Sequence, residues 1–146
     1  MDVATAWFYA RQNEAAKERE EEIYPGGAIL DAGRQIAHMM KIANPDADQV
    51  QQLGIRAHRA LGMTYGVIAA TLVGIGVHPM KAGALVGVAA FVFVDEIMNA
   101  VQLDPAPTDF PIEAHLRGVV GHATFGVALG TGLTLAYPLL RPRHDR

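Results

Sequence analysis

The chain has 146 residues, 51% of them hydrophobic and 18% charged, with 15 Gly, 8 Pro and a formal net charge of −3. That length suits one ordinary domain, and the absence of both Cys and Ser excludes disulfide scaffolds, thiolate metal sites and Ser or Cys nucleophiles. A charge so near neutral lacks the basic footprint of nucleic-acid binding, so no nucleic-acid partner is expected.

Residues 1–22 read as a helix. Val3, Ala6, Trp7 and Ala10 line one side, and the segment from Arg11 to Glu22 is strongly polar. Lys17 and Glu21 form an i,i+4 pair while Glu14, Glu18 and Glu22 repel, which describes a solvated helix extension. The ten residues before it are too few to cross a bilayer, and no basic n-region marks a secretory signal peptide. Pro25-Gly26-Gly27 breaks the chain. Residues 28–43 then form an amphipathic helix with Ile29, Gly33, Ile36 and Met40 on one side. Asp31, Arg34, Gln35, His38 and Lys41 lie opposite, as in a helix resting at a membrane interface or across the ends of spanning helices.

Asn44-Pro45 reads as an N-cap and first helical residue, starting a helix that nothing interrupts before Gly74. Val77-His78-Pro79 is a tight turn, with Pro79 opening the next helix. The Pro-rich stretch from Leu103 to Pro111 is a longer loop, and Pro138 and Pro142 end the last helix.

The charges are distributed unevenly. Residues 1–56 hold 15 of the 27 charged side chains, and residues 57–140 hold eight. Ala60–Val77 and Gly118–Leu140 carry none, and Ala82–Val94 is also uncharged, so a mean hydropathy of only +0.17 hides long apolar runs. A bilayer core about 30 Å thick needs about 20 apolar residues as helix. The expectation is therefore an all-α integral membrane bundle with three spanning helices, at about 58–77, 80–102 and 115–138. Residues 1–56 form its N-terminal helical and interfacial region, residues 57–140 its transmembrane bundle, and the whole chain is one membrane domain.

Each expected span carries a GxxxG spacing: Gly62/Gly66, Gly83/Gly87 and Gly126/Gly130. Interior glycine costs a helix about 1 kcal/mol in water. In lipid, small residues four apart let backbones approach and gain dispersion contacts. The bland alternative, a soluble bundle, requires charged outer faces that these segments lack.

The alternating direction of the spans brings His58, Asp95, Glu96, His115 and His122 to one end, with Arg56, Arg59 and Arg117 nearby and His78 at the other. Intramembrane ionisable groups are costly and are usually paired. The simplest reading has Asp95 or Glu96 bound to Arg59, Arg117 or a histidine, fixing helix register. A second is a proton or ion pathway through Glu96, His122 and Tyr65. A third is a metal or haem site from His58, His115, His122 and Glu96, whose ligand types suit zinc or iron, although no Glu-x-x-His repeat or His-Glu-x-x-His motif is present.

The run His58-x3-Gly62-Met-Thr-Tyr-Gly66, then Pro79, Gly83 and Gly87, then Asp95-Glu96, then His115-x6-His122-x3-Gly126 resembles the YagU-like family of small bacterial inner-membrane proteins. The resemblance covers about residues 57–130. It implies a four-helix membrane bundle, here with a shortened first helix, and no catalytic residue to carry over. Lys and Arg near the span ends favour a cytoplasmic C-terminus. The functional expectation is a non-enzymatic, multi-pass inner-membrane protein without a cofactor, acting through helix packing. Its expected partners are the lipid bilayer and either further copies of itself or other membrane subunits, to which it is accessory.

Overall fold

A computed structural model describes residues 2–97 and 106–140, which are helical with short connections and contain no strand. The order is α1 (Asp2–Tyr9), α2 (Glu14–Ile23), α3 (Gly27–Met39), α4 (Ala47–Gly74) and α5 (Pro79–Phe91). A π-helical turn (Val92–Ile97), a 3-10 turn (Pro107–Asp109) and α6 (Ile112–Leu140) follow.

Local chemistry places the boundaries. The N-terminal segment is two helices, not the one expected. Asn13 caps α2, its side chain accepting the Ala16 N–H at 2.7 Å, and an Asn followed by an acidic first turn is a start signal. The cap of α4 is Asp46 and not Asn44. Asp46 accepts the Gln49 N–H at 2.8 Å, and the Gln49 side chain accepts the Asp46 N–H at 3.3 Å, a reciprocal capping box. Asn44 instead takes a left-handed backbone (φ 48°) in the preceding turn. After α4, Gly76 at φ 98° lets Val77 N–H reach Leu72 O and Gly76 N–H reach Val73 O, closing the helix end in a Schellman arrangement. His78 then caps α5 ahead of Pro79. At the far end, α6 runs through Pro138 to Leu140, so that proline does not end it.

Two antiparallel pairs form the framework, and both depend on missing side chains. In α5 and α6, a Cβ on Gly83 would lie 2.4 Å from Gly126 O, and one on Gly87 would lie 2.7 Å from His122 O. Gly130 abuts the backbone of Met80 in the same seam. In α3 and α4, Cβ atoms on Gly33 and Gly54 would fall 2.0 Å from Val50 O and 1.9 Å from Ile29 O. Helix α3 therefore lies along the polar N-terminal half of α4. By contrast, nothing lies within 4 Å of a Cβ built on Gly62 or Gly66. The pairs are joined by the Gly76–His78 turn and by Tyr65 of α4, whose ring meets Phe125 of α6 edge-on at 6.3 Å.

The resulting apolar distribution inverts that of a soluble core. The buried apolar side chains are Ala and Val, among them Ala69, Ala82, Val86 and Ala90, and no large side chain is fully buried among the described residues. Large apolar groups point outward instead, including Val67 (66% exposed), Leu85 (57%), Val127 (58%) and Leu135 (75%). Water-soluble domains bury Leu, Ile and Phe first. The stretch Ile112–Pro138 is long and apolar enough to cross a membrane, and along it only Gly121, Gly126 and Gly130 are buried. At about 1.5 Å per residue it exceeds the roughly 30 Å hydrocarbon core.

The glycine seams generate a contrast between positions of identical sequence character. Gly83→Ala, Gly87→Ala, Gly33→Ala and Gly54→Ala force a methyl against a backbone carbonyl and are expected to destabilise by about 1–3 kcal/mol each. Gly62→Ala and Gly66→Ala meet open space within the chain and are expected to leave the thermal unfolding temperature of the monomeric chain unchanged or raised. Thermal unfolding in mild detergent checks both sets.

Candidate functional site

The strongest polar constellation joins the N-terminal helices to α6. The loop between α1 and α2 carries Gln12, 6% exposed, and α2 carries Glu20, 9% exposed on the same face as buried Ala16. Both reach Arg117, in the second turn of α6. Its guanidinium donates to Glu20 Oε1 at 3.0 Å, to Glu20 Oε2 at 2.5 Å and to Gln12 Oε1 at 2.7 Å. Gln12 also donates through Nε2 to Glu20. Tyr9 lies under the guanidinium, 5.1 Å from its ring centroid, with Lys17 Nζ at 5.5 Å from the same ring. A second cross-link runs from Asn13 Nδ2 to Glu113 Oε1 at 2.9 Å. A two-pronged arginine–carboxylate pair fixes orientation as well as distance, so this cluster sets where α1 and α2 sit on α6.

This arrangement corrects two sequence expectations. The acidic run of α2 is not wholly solvated, because Glu20 is drawn into the structure and pairs with Arg117; the expected pairing of Asp95 or Glu96 falls on side chains outside the described residues. Lys17 pairs with Glu14 at 2.8 Å instead of Glu21. The signal that marks Glu20 is its i+4 spacing from Ala16, on a stripe that continues toward Ile23.

Beside this cluster is a cavity of about 680 Å³ between α1, α2 and the start of α3 on one side and α6 with the π turn on the other. His115 and His122 both line it. His115 Nε2 bonds Pro107 O at 2.9 Å and His122 Nδ1 bonds Gly118 O at 3.0 Å, while the His122 ring meets Phe91 edge-on at 5.9 Å. The structure thus brings His115, His122 and Arg117 to one cavity. His58 stands exposed on α4 and is not among the lining residues, and Arg56 and Arg59 are exposed as well. The backbone of Asp95 and Glu96 lies in the π turn next to Val94, which lines the cavity, and their side chains lie outside the described residues. Among the described residues no group of three His, Asp or Glu side chains is placed to hold a metal ion. The four glycines at 83, 87, 126 and 130 meet one another across the α5–α6 seam, and Gly62 and Gly66 remain apart from it.

No family model, curated protein or solved structure matches the chain. The chemistry of the site is therefore read from its own residues. It has a part-buried ion pair, two imidazoles that each bond a backbone carbonyl, and a wall rich in Gly and Ala.

Breaking one side of a part-buried pair strands the other charge. Arg117→Met leaves Glu20 without its counter-ion and is expected to cost about 1–3 kcal/mol, whereas the double change Arg117→Met/Glu20→Leu is expected to recover most of that loss. Limited proteolysis of the α1–α2 segment, read beside thermal unfolding, distinguishes the two variants.

Proposed function

We propose that the chain is a non-enzymatic, multi-pass integral protein of the bacterial inner membrane that acts through helix packing, as an oligomer or as an accessory subunit of a membrane complex. One observation carries this reading: small residues fill the helix seams while Leu, Val, Met and Ile side chains cover the outside. An exterior of that kind is stable against lipid tails or apolar helices of other subunits, and is a liability in water. Helix α6 has the length and composition for one crossing. The stretches at about 58–77 and 80–102 supply two more in this reading, with α1–α3 and the polar half of α4 at the membrane surface.

The oligomer component rests on α4. The GxxxG faces of α5 and α6 are used within the chain, which leaves Gly62/Gly66, flanked by exposed Met63 and Val67, as the face for a second helix. We also place the chain with the YagU-like proteins, on the pattern from His58 to His122 whose Gly83, Gly87 and Gly126 are the residues that meet across the α5–α6 seam.

The lack of cysteine makes the topology directly testable. Single-cysteine variants at Val67, Leu85 and Val127 are expected to resist a membrane-impermeant maleimide in intact vesicles and to react after detergent is added. A cysteine at Lys81 or Glu14 is expected to react when its own side of the membrane is accessible. Ready reaction at all three apolar positions, together with release of the protein by alkaline carbonate, overturns the membrane assignment. Gly62→Leu/Gly66→Leu is expected to reduce the particle size in mild detergent, and an unchanged size removes the oligomer component alone.

A further inference from the structure

The cavity beside Arg117 exists because small residues from separate elements coincide there. Gly26, Gly27 and Ala28 form its α3 side, and Ala114, Gly118 and Gly121 its α6 side. Its volume of about 680 Å³ falls within the roughly 300–1,000 Å³ typical of small-molecule sites.

The two ends of the cavity differ. It follows α6 from Ala114 to His122, eight residues, or about 12 Å of helix rise. Near the outer end are Arg117, Glu20, Glu21 and Tyr24; further along α6 are Gly118, Gly121 and His122, and Val94 of the π turn joins the lining. The charges at the outer end are already compensated: Glu20 and Gln12 hold the guanidinium, and Glu21 accepts the Gly26 N–H at 3.1 Å. An anionic head entering there meets two carboxylates against one guanidinium already engaged. A cationic head meets the same two carboxylates, but also Arg117 and the N-terminal end of α3, whose cap, Gly26, supplies no side-chain acceptor. With opposing charges on both sides, neither charged class gains strongly over an uncharged head, for which hydrogen-bonding groups of either polarity are present.

This inference rests on the membrane reading above, in which the start of α6 lies at the water interface and the deeper end of the cavity lies toward the bilayer core. We propose that the cavity binds an uncharged long-chain amphiphile: a lipid whose hydroxyl or ester head sits by Arg117, Glu20 and Tyr24 and whose chain runs past Gly118, Gly121 and Val94. The Arg117–Glu20 pair then has a second role, holding α1 and α2 as the outer wall of a lipid site.

The probe is a monoacylglycerol bearing a diazirine in its acyl chain, photolysed in phosphatidylcholine vesicles containing the full chain. Adducts are expected between Ala114 and His122, with yield reduced about tenfold by Ala114→Trp or Gly118→Leu, each of which fills the cavity, and about tenfold by excess unlabelled monoacylglycerol. A phosphatidic acid carrying the same diazirine is expected to label this stretch several-fold less. Equal labelling by phosphatidic acid overturns the uncharged head. Adducts confined to outward residues such as Val127 and Leu135, or labelling that excess monoacylglycerol does not suppress, overturns the site. The competition arm holds even where a filling variant fails to fold. A chain that does not enter the vesicles defeats the membrane reading, whereas insertion without labelling of the cavity wall defeats only the lipid site.

Discussion

The close approach of α5 and α6 is the constraint on which the rest of the chain depends. Their backbones meet where Gly83 and Gly87 oppose Gly126 and Gly130, leaving no room for even one methyl group at Gly83 or Gly87. A seam so narrow gains its energy from many backbone dispersion contacts and not from large interdigitated side chains. The large apolar residues of both helices have nowhere to go but outward. The exposed Leu85, Val88 and Val127 are thus consequences of the glycine seam. One of the two helices, α6, is long and apolar enough over Ile112–Pro138 to cross a membrane.

The same device recurs at the polar end with a different result. Gly33 and Gly54 bring α3 against α4 as tightly as the α5–α6 pair, but the outer faces there carry Arg34, Gln35, His38, Arg56 and His58. One packing rule therefore serves an apolar and a polar outer surface, and the residues opposite the seam decide which. The N-terminal helices are attached otherwise. They lack glycine seams and are fixed by directional polar bonds, chiefly Glu20 and Gln12 on Arg117. Directional bonds hold a wall at a distance, whereas glycine seams close it. That difference is why a cavity of about 680 Å³ lies between α1–α2 and α6, whereas Gly83, Gly87, Gly126 and Gly130 close the middle of the α5–α6 seam.

Much of the helical layout is legible in the sequence because its signals are local. The Gly76–Pro79 turn and the helix from the region of Asn44 to Gly74 follow from residues within a few positions of each boundary. The errors are also local: Asn44 and Asp46 are both competent caps, and only Asp46 has Gln49 three residues on to complete a reciprocal pair. The polar site was much less legible. Glu20 sits in a run of four carboxylates, three of them solvated, and its partner is 97 positions away. No spacing rule reaches that far, and the helical stripe from Ala16 gives only a hint of which carboxylate turns inward.

The sequence by itself determined the all-helical class, the segregation of charge into the first 56 residues and the glycine spacings, because composition and periodicity act through nearest neighbours on a helix. Tertiary structure alone decided which glycines face one another, since Gly62/Gly66 has the same local pattern as Gly83/Gly87 and yet meets nothing in the chain. It also decided that Arg117 is neutralised by Glu20, and that His115 and His122 share a cavity from which His58 is absent. Those outcomes depend on how whole helices lie against each other, and that is set by the summed fit of distant surfaces, which no stretch of neighbouring residues encodes.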